Sequence, residues 1–110
     1  MLTIHVESGE EVIETVRKRL AEANVRSGAI ASVIGAVDSC CISTMPKDDA
    51  SKDILRDYAE PFELFGAGEV IDGTPHIHVT AGRDDGLALA GHLHWAKVGH
   101  WFVRVYVIPE

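Results

Sequence analysis

Histidine is the residue type whose number and spacing in this chain can do chemistry. The 110 residues include six histidines, and five of them fall between positions 76 and 100. His76 and His78 are two apart, and His92 and His94 repeat that spacing. Residues two apart on a strand share a face, so each pair reads as two imidazoles presented side by side. Neutral imidazole is a common zinc ligand, at Zn–N distances of about 2.0–2.1 Å. Three such ligands leave a fourth place open, as a catalytic metal requires. The pattern predicts one zinc per subunit on His76, His78 and His92, with His94 as a further candidate. The alternatives are a metal-free polar pocket, its imidazoles satisfied by Glu63, Glu69 and backbone groups, and unconnected surface histidines. His5 and His100 read as packing or surface residues.

Those histidines must be positioned by strands. Around His76 to Thr80, the residues His76, His78 and Thr80 lie on one face, with Ile77, Val79 and Ala81 on the other. From Leu87 to Trp95, Ala88, Ala90, His92 and His94 lie opposite Leu87, Leu89, Leu93 and Trp95. The apolar sets belong to the core, which turns all four histidines to the second face. A three-residue loop of Asp84, Asp85 and Gly86 has glycine where positive φ is required. It predicts His78 opposite His92 and His76 opposite His94. A two-residue turn at Asp72-Gly73 puts Glu69 opposite His76 and brings Glu63 and Phe65 to the same face.

The rest of the chain supplies a helix and further strands. Leu2 to Val6 alternates as a first strand. Ser8 and Glu11 form a capping box, and Val12, Ile13, Val16 and Leu20 recur at helical spacing, so a helix is predicted from about Gly9 to Ala23. Asn24 suits a left-handed stop. Strands follow over Gly28 to Ile34 and Val37 to Thr44, with a bend at Gly35-Ala36. Pro46 to Glu60 is polar and reads as a long surface connection. Phe62 to Ile71 and His100 to Ile108 complete the set. The prediction is one α+β domain over residues 1–110: a mostly antiparallel sheet of about six or seven strands with one long helix packed on one face.

In the last strand, Trp101, Val103, Val105 and Val107 form the core side. His100, Phe102, Arg104, Tyr106 and Ile108 form the other side, too apolar to be left to water. One helix covers one sheet face. The second face is therefore expected to be covered by another subunit, or by the sheet folding over on itself as a sandwich.

Composition narrows the partners. Ten Lys and Arg against 17 Asp and Glu leave a formal charge of −7. A non-specific nucleic-acid binder needs a basic footprint to displace counterions, so DNA is weakly expected. No stretch reaches the ~18–20 apolar residues of a membrane span. The opening Met-Leu-Thr-Ile-His-Val-Glu has neither a basic n-region nor an apolar h-region, so the expected compartment is the cytoplasm. Cys40 and Cys41 are neighbours that point to opposite faces of a strand, which excludes a disulfide framework. No nucleophile motif, phosphate loop or Ser/His/Asp arrangement assigns a catalytic residue; Thr80 and Ser43 stand in no such pattern.

Three segments together resemble the PPC (plant and prokaryote conserved) domain family. They are Gly9-Glu10-Glu11-Val12 with Ser27-Gly28 and Ile34-Gly35-Ala36-Val37; Pro61-Phe62-Glu63-Leu64 through Gly68, Asp72-Gly73 and Pro75-His76-Ile77-His78-Val79; and Asp85-Gly86 with Gly91-His92-Leu93. The resemblance implies a homotrimer of antiparallel sheets. It implies association with protein partners through a segment that falls on Phe62, Glu63, Leu64 and Phe65, although the family's Gly-Arg start to that motif is missing. In plant relatives DNA is bound through an AT-hook, whose Arg-Gly-Arg-Pro core is absent here, so DNA association follows by resemblance only. The resemblance also implies a metal site, since histidines such as His76, His78 and His92 recur in prokaryotic relatives and can hold a metal. Where the family has a second Gly before Gly91-His92, this chain has Ala90. The expected function is a binding or interaction module with a histidine metal site. The alternative is a metal-dependent enzyme or small-ligand binder on the same cluster, with Glu63 or Glu69 as base and Arg104 orienting an anionic group.

Overall fold

The computed structural model describes all residues, Met1–Glu110. Its elements run β1 (Leu2–Val6), α1 (Val12–Glu22), β2 (Gly28–Val37), β3 (Ser39–Thr44), β4 (Ile54–Tyr58), β5 (Phe62–Ile71), β6 (Thr74–Gly82), β7 (Ala88–Lys97) and β8 (Val103–Pro109). They form a single antiparallel sheet in the order β1-β8-β2-β5-β6-β7-β3-β4, with α1 across one face. The α+β class holds, with eight strands where six or seven were expected. The additional strand is β4, inside the stretch from Pro46 to Glu60 expected to be a surface connection. Its backbone pairs with β3, from Cys40↔Tyr58 to Thr44↔Ile54. As an edge strand it buries little, and so it lacks an apolar pattern to announce it.

The core lies between the helix and the sheet. Val12, Val16 and Leu20 meet Ile77, Val79 and Ala81 of β6, together with Phe62, Leu64, Val103, Val105 and Val107, all buried. β2 contributes Ile30 and Val33, which strict alternation would place on opposite faces. A bulge between Ile30 and Val33 absorbs the change of parity. The bulge or bend expected at Gly35-Ala36 is not there: β2 runs through both residues to Val37, and the chain bends before β3 at Asp38. Gly35 has another use: at φ +149°, a Cβ there would stand 2.0 Å from the Phe102 carbonyl oxygen. No helix is long and apolar enough to cross a membrane.

Helix α1 starts later than the capping-box reading places it. Glu11, not Ser8, is the N-cap; its carboxylate accepts from the backbone N–H groups of Ile13 (2.9 Å) and Glu14 (2.8 Å). The Ser8 hydroxyl donates to the Gly99 carbonyl, and Gly9 N–H donates to Val98 at 2.8 Å, so this segment is held by the β7–β8 connection. The far end behaves as expected. Asn24 is left-handed at φ 55°, with Val25 N–H returning to Leu20 and Asn24 N–H to Ala21.

Glu11 also accepts from the N–H of buried Ala96 at 2.8 Å, joining the helix start to β7. Replacing Glu11 by Ala removes the cap and strands a buried donor. We expect a loss of about 2–4 kcal/mol in urea denaturation, against about 1 kcal/mol for an ordinary cap. A loss no larger than the ordinary value would show that the Ala96 contact contributes nothing.

Two core assignments need correction. Trp101 is 66% exposed, because β8 starts only at Val103 and the segment before it is non-strand. In β7, Leu93 is buried, but Leu87 is exposed and Trp95 only half-buried, with Ala96 and Val98 in the core instead. Leu87 lies in the loop before β7, and for Trp95 and Ala96 the cause is a bulge: Cys41 pairs with Trp95 but Ile42 with Leu93, leaving His94 as the extra residue.

Candidate metal centre

Both hairpins that carry the histidines have the expected register. Asp72 and Gly73, at φ 51° and 75°, make the two-residue turn, and Glu69 pairs with His76. Gly86, at φ +81°, closes the next loop, with Arg83 N–H donating to Leu87 at 2.8 Å. His78 therefore faces His92 across β6 and β7. Ring centroids lie 5.2 Å apart for His76–His78, 4.7 Å for His76–His92 and 5.5 Å for His78–His92. One ligand atom from each lies within 4.8 Å of the others.

The donor set fits a metal on one further observation. His92 Nδ1 is buried without a hydrogen-bond partner, which costs free energy in a metal-free chain. Burial, and then the imidazoles of His76, His94 and His78, push the His92 pKa below the ordinary histidine value. Its ring is thus kept neutral, the form in which imidazole ligates. His76 and His78 are exposed on the open sheet face, while His92 is half-buried.

His94 does not join the triad. The bulge displaces it from the place opposite His76, and its Nε2 lies 2.7 Å from Ser43 Oγ. Ser43 is buried at 3% exposure and pairs with His92 in the β3–β7 ladder. The close approach of these strands needs Gly91, at φ +156°, where a Cβ would stand 2.3 Å from the Ser43 carbonyl oxygen. A cavity of about 470 Å³ opens over the triad, and Ser43, His94 and Asp53 share its wall with the three histidines. Sequence reasoning missed Asp53 and the pairing of Ser43 with His94. Both reach the cavity through the β3–β4 hairpin and the β3–β7 contact, which no local pattern announces.

Glu63 and Arg104 fall elsewhere on the same open face. They line a second, more apolar cavity of about 640 Å³ with Ile34, Phe65, Trp101 and Phe102. The Arg104 guanidinium sits 4.3 Å from the Phe102 ring centroid. The segment from Phe62 to Phe65 divides by parity: Phe62 and Leu64 are buried at 2% and 1%, and only Glu63 and Phe65 are exposed. A partner touching this strand face meets the latter two. His5 is exposed, and exposed His100 is held by Asp38, Nδ1 to Oδ2 at 2.6 Å. Burial pushes the Cys40 thiol up to about 12, and burial with a hydrogen bond to Asp57 raises Cys41, so neither offers a thiolate.

Comparison with solved structures finds the same fold. A metal-containing protein from Archaeoglobus fulgidus is 28% identical, with a TM-score of 0.80 covering 99% of this chain and 80% of that one. A plant- and prokaryote-conserved protein from Pyrococcus horikoshii is 22% identical, with a TM-score of 0.80 over 99% and 79%. A protein of Ralstonia eutropha, named a candidate DNA-binding protein, is 17% identical, with a TM-score of 0.83 over 98% and 76%. Among curated proteins nothing matches. A family model for the Plants and Prokaryotes Conserved (PCC) domain matches residues 1–110, and with this fold and this match the chain belongs to the PCC domain family.

Proposed function

We propose that this domain is a self-assembling binding module that holds one zinc per subunit on His76, His78 and His92. The approach of three imidazoles to within 4.8 Å carries the reading. The orphaned His92 nitrogen and its neutral ring support it. Zinc on three nitrogens supplies a positive centre with one position open to the cavity. Glu69, opposite His76, stands beside the cluster and not in it.

Self-assembly is supported by the open face, where Ile34, Phe65, Trp101 and Ile108 are 46%, 58%, 66% and 50% exposed. An apolar area of this kind marks an interaction surface. Resemblance to the family favours three copies, as a closed homotrimer. Other protein partners would then meet the edges that the trimer leaves free. DNA is the weaker partner, since a charge of −7 gives no general counterion-displacing footprint; the reading includes it only by family likeness.

A second reading, a metal-dependent enzyme or small-ligand binder, draws on one observation: the triad lies under a cavity large enough for a small molecule. The proposal is tested by zinc content and mass from light scattering, on protein purified without a nickel column. We expect one zinc per chain in a particle of three chains. Metal-free protein that also takes up no added zinc would overturn the metal site, and a monomer would overturn the assembly.

A further inference from the structure

The pair Ser43–His94 is a polar contact on the wall of the histidine cavity that the triad does not explain. Ser43 is nearly inaccessible, yet it is among the residues lining the cavity, and its hydroxyl lies 2.7 Å from His94 Nε2. The bulge at His94 is what turns this imidazole toward Ser43 and away from His76. Bulges that re-aim a side chain are common beside functional sites.

We propose that His94 and Ser43 form the ligand-recognising half of this cavity, and that the ligand is a small carboxylate. The inference rests on the metal reading above for the other half of the site. His94 Nε2–H donates to Ser43 Oγ, which leaves the hydroxyl hydrogen free to donate to a carboxylate oxygen seated over the triad. No Lys or Arg lines the cavity, and Asp53 does. The positive charge on offer is therefore that of one metal ion, which suits a monoanion better than a phosphate dianion. The cavity volume of about 470 Å³ falls within the range of small-molecule sites.

The test uses acetate and inorganic phosphate as probes. Zinc uptake is measured first, by calorimetry. Each probe is then titrated while the ring ¹⁵N shifts of His92 and His94 are followed, in zinc-loaded and metal-free protein. We expect His94 to carry its proton on Nε2, acetate to bind more tightly than phosphate, and Ser43→Ala to weaken acetate by about tenfold. His94→Gln, which keeps a donor at the same reach, should retain most of the acetate affinity and covers the case in which Ser43→Ala folds poorly. Unchanged acetate binding in Ser43→Ala, or a preference for phosphate, overturns the inference. If the wild type takes up no zinc, the metal reading fails separately. The metal-free titration then decides: an acetate response of His94 that disappears in Ser43→Ala upholds the carboxylate subsite, and no response overturns it.

Discussion

His92→Ala is expected to lower zinc affinity by at least about 100-fold while leaving the fold intact. Loss of a partner that merely orients a ligand already costs about 10–100-fold, and His92 is the most buried member of the triad. The metal-free variant should be no less stable than the metal-free wild type, because the orphaned ring nitrogen leaves with the side chain. Zinc at a hundredfold excess over its Kd should stabilise the wild type by about 2.7 kcal/mol, roughly 10 °C in Tm, and the variant hardly at all. Differential scanning calorimetry with and without zinc reads both effects. Equal stabilisation of the two proteins would place the zinc somewhere other than His92.

The same residue sets a pH dependence. Its folded-state pKa lies below the ordinary value of 6.5, chiefly through burial, so the folded chain resists its protonation. The unfolded chain binds that proton first. Metal-free stability should therefore hold above about pH 6.5 and decline as the pH falls through the lowered value. In His92→Ala this component of the slope should vanish. Zinc should be lost over the same range, since protons compete for the ring.

Phe62→Ala and Phe65→Ala should separate folding from assembly. Phe62 is 2% exposed and meets Tyr58 edge-to-face, with ring centroids 5.5 Å apart at 89°. Its truncation leaves a cavity and should cost about 3–5 kcal/mol in chemical denaturation. Phe65, three positions along on the strand's open side and 58% exposed, should change monomer stability by no more than about 0.5 kcal/mol. Its effect should appear in light scattering as weaker self-association. Comparable destabilisation by both changes would mean that the open face is packed within the monomer, contrary to the strand parity described above.

Local periodicity carried much of this protein's plan. The two glycine-bearing turns set the register that places His78 opposite His92, because hairpin geometry depends on a few adjacent residues. Alternation sorted Ile77, Val79 and Ala81 from His76 and His78 for the same reason. The helix stripe of Val12, Val16 and Leu20 was equally legible, although the exact cap was not. Glu11 takes that place because its carboxylate also reaches Ala96, a contact 85 positions away.

Tertiary structure alone decided what lies beside the triad. β3 pairs with β7, a strand far from it in sequence, and the bulge at their junction sends His94 to Ser43. It likewise moves Trp95 out of the core and brings Ala96 in. The edge strand β4 exists because β3 offers it a free row of backbone groups, not because its own side chains demand burial. Short-range turns and alternation are encoded in neighbouring residues. Bulges, edge pairing and the walls of a cavity arise only when distant strands compete for the same hydrogen bonds and the same space.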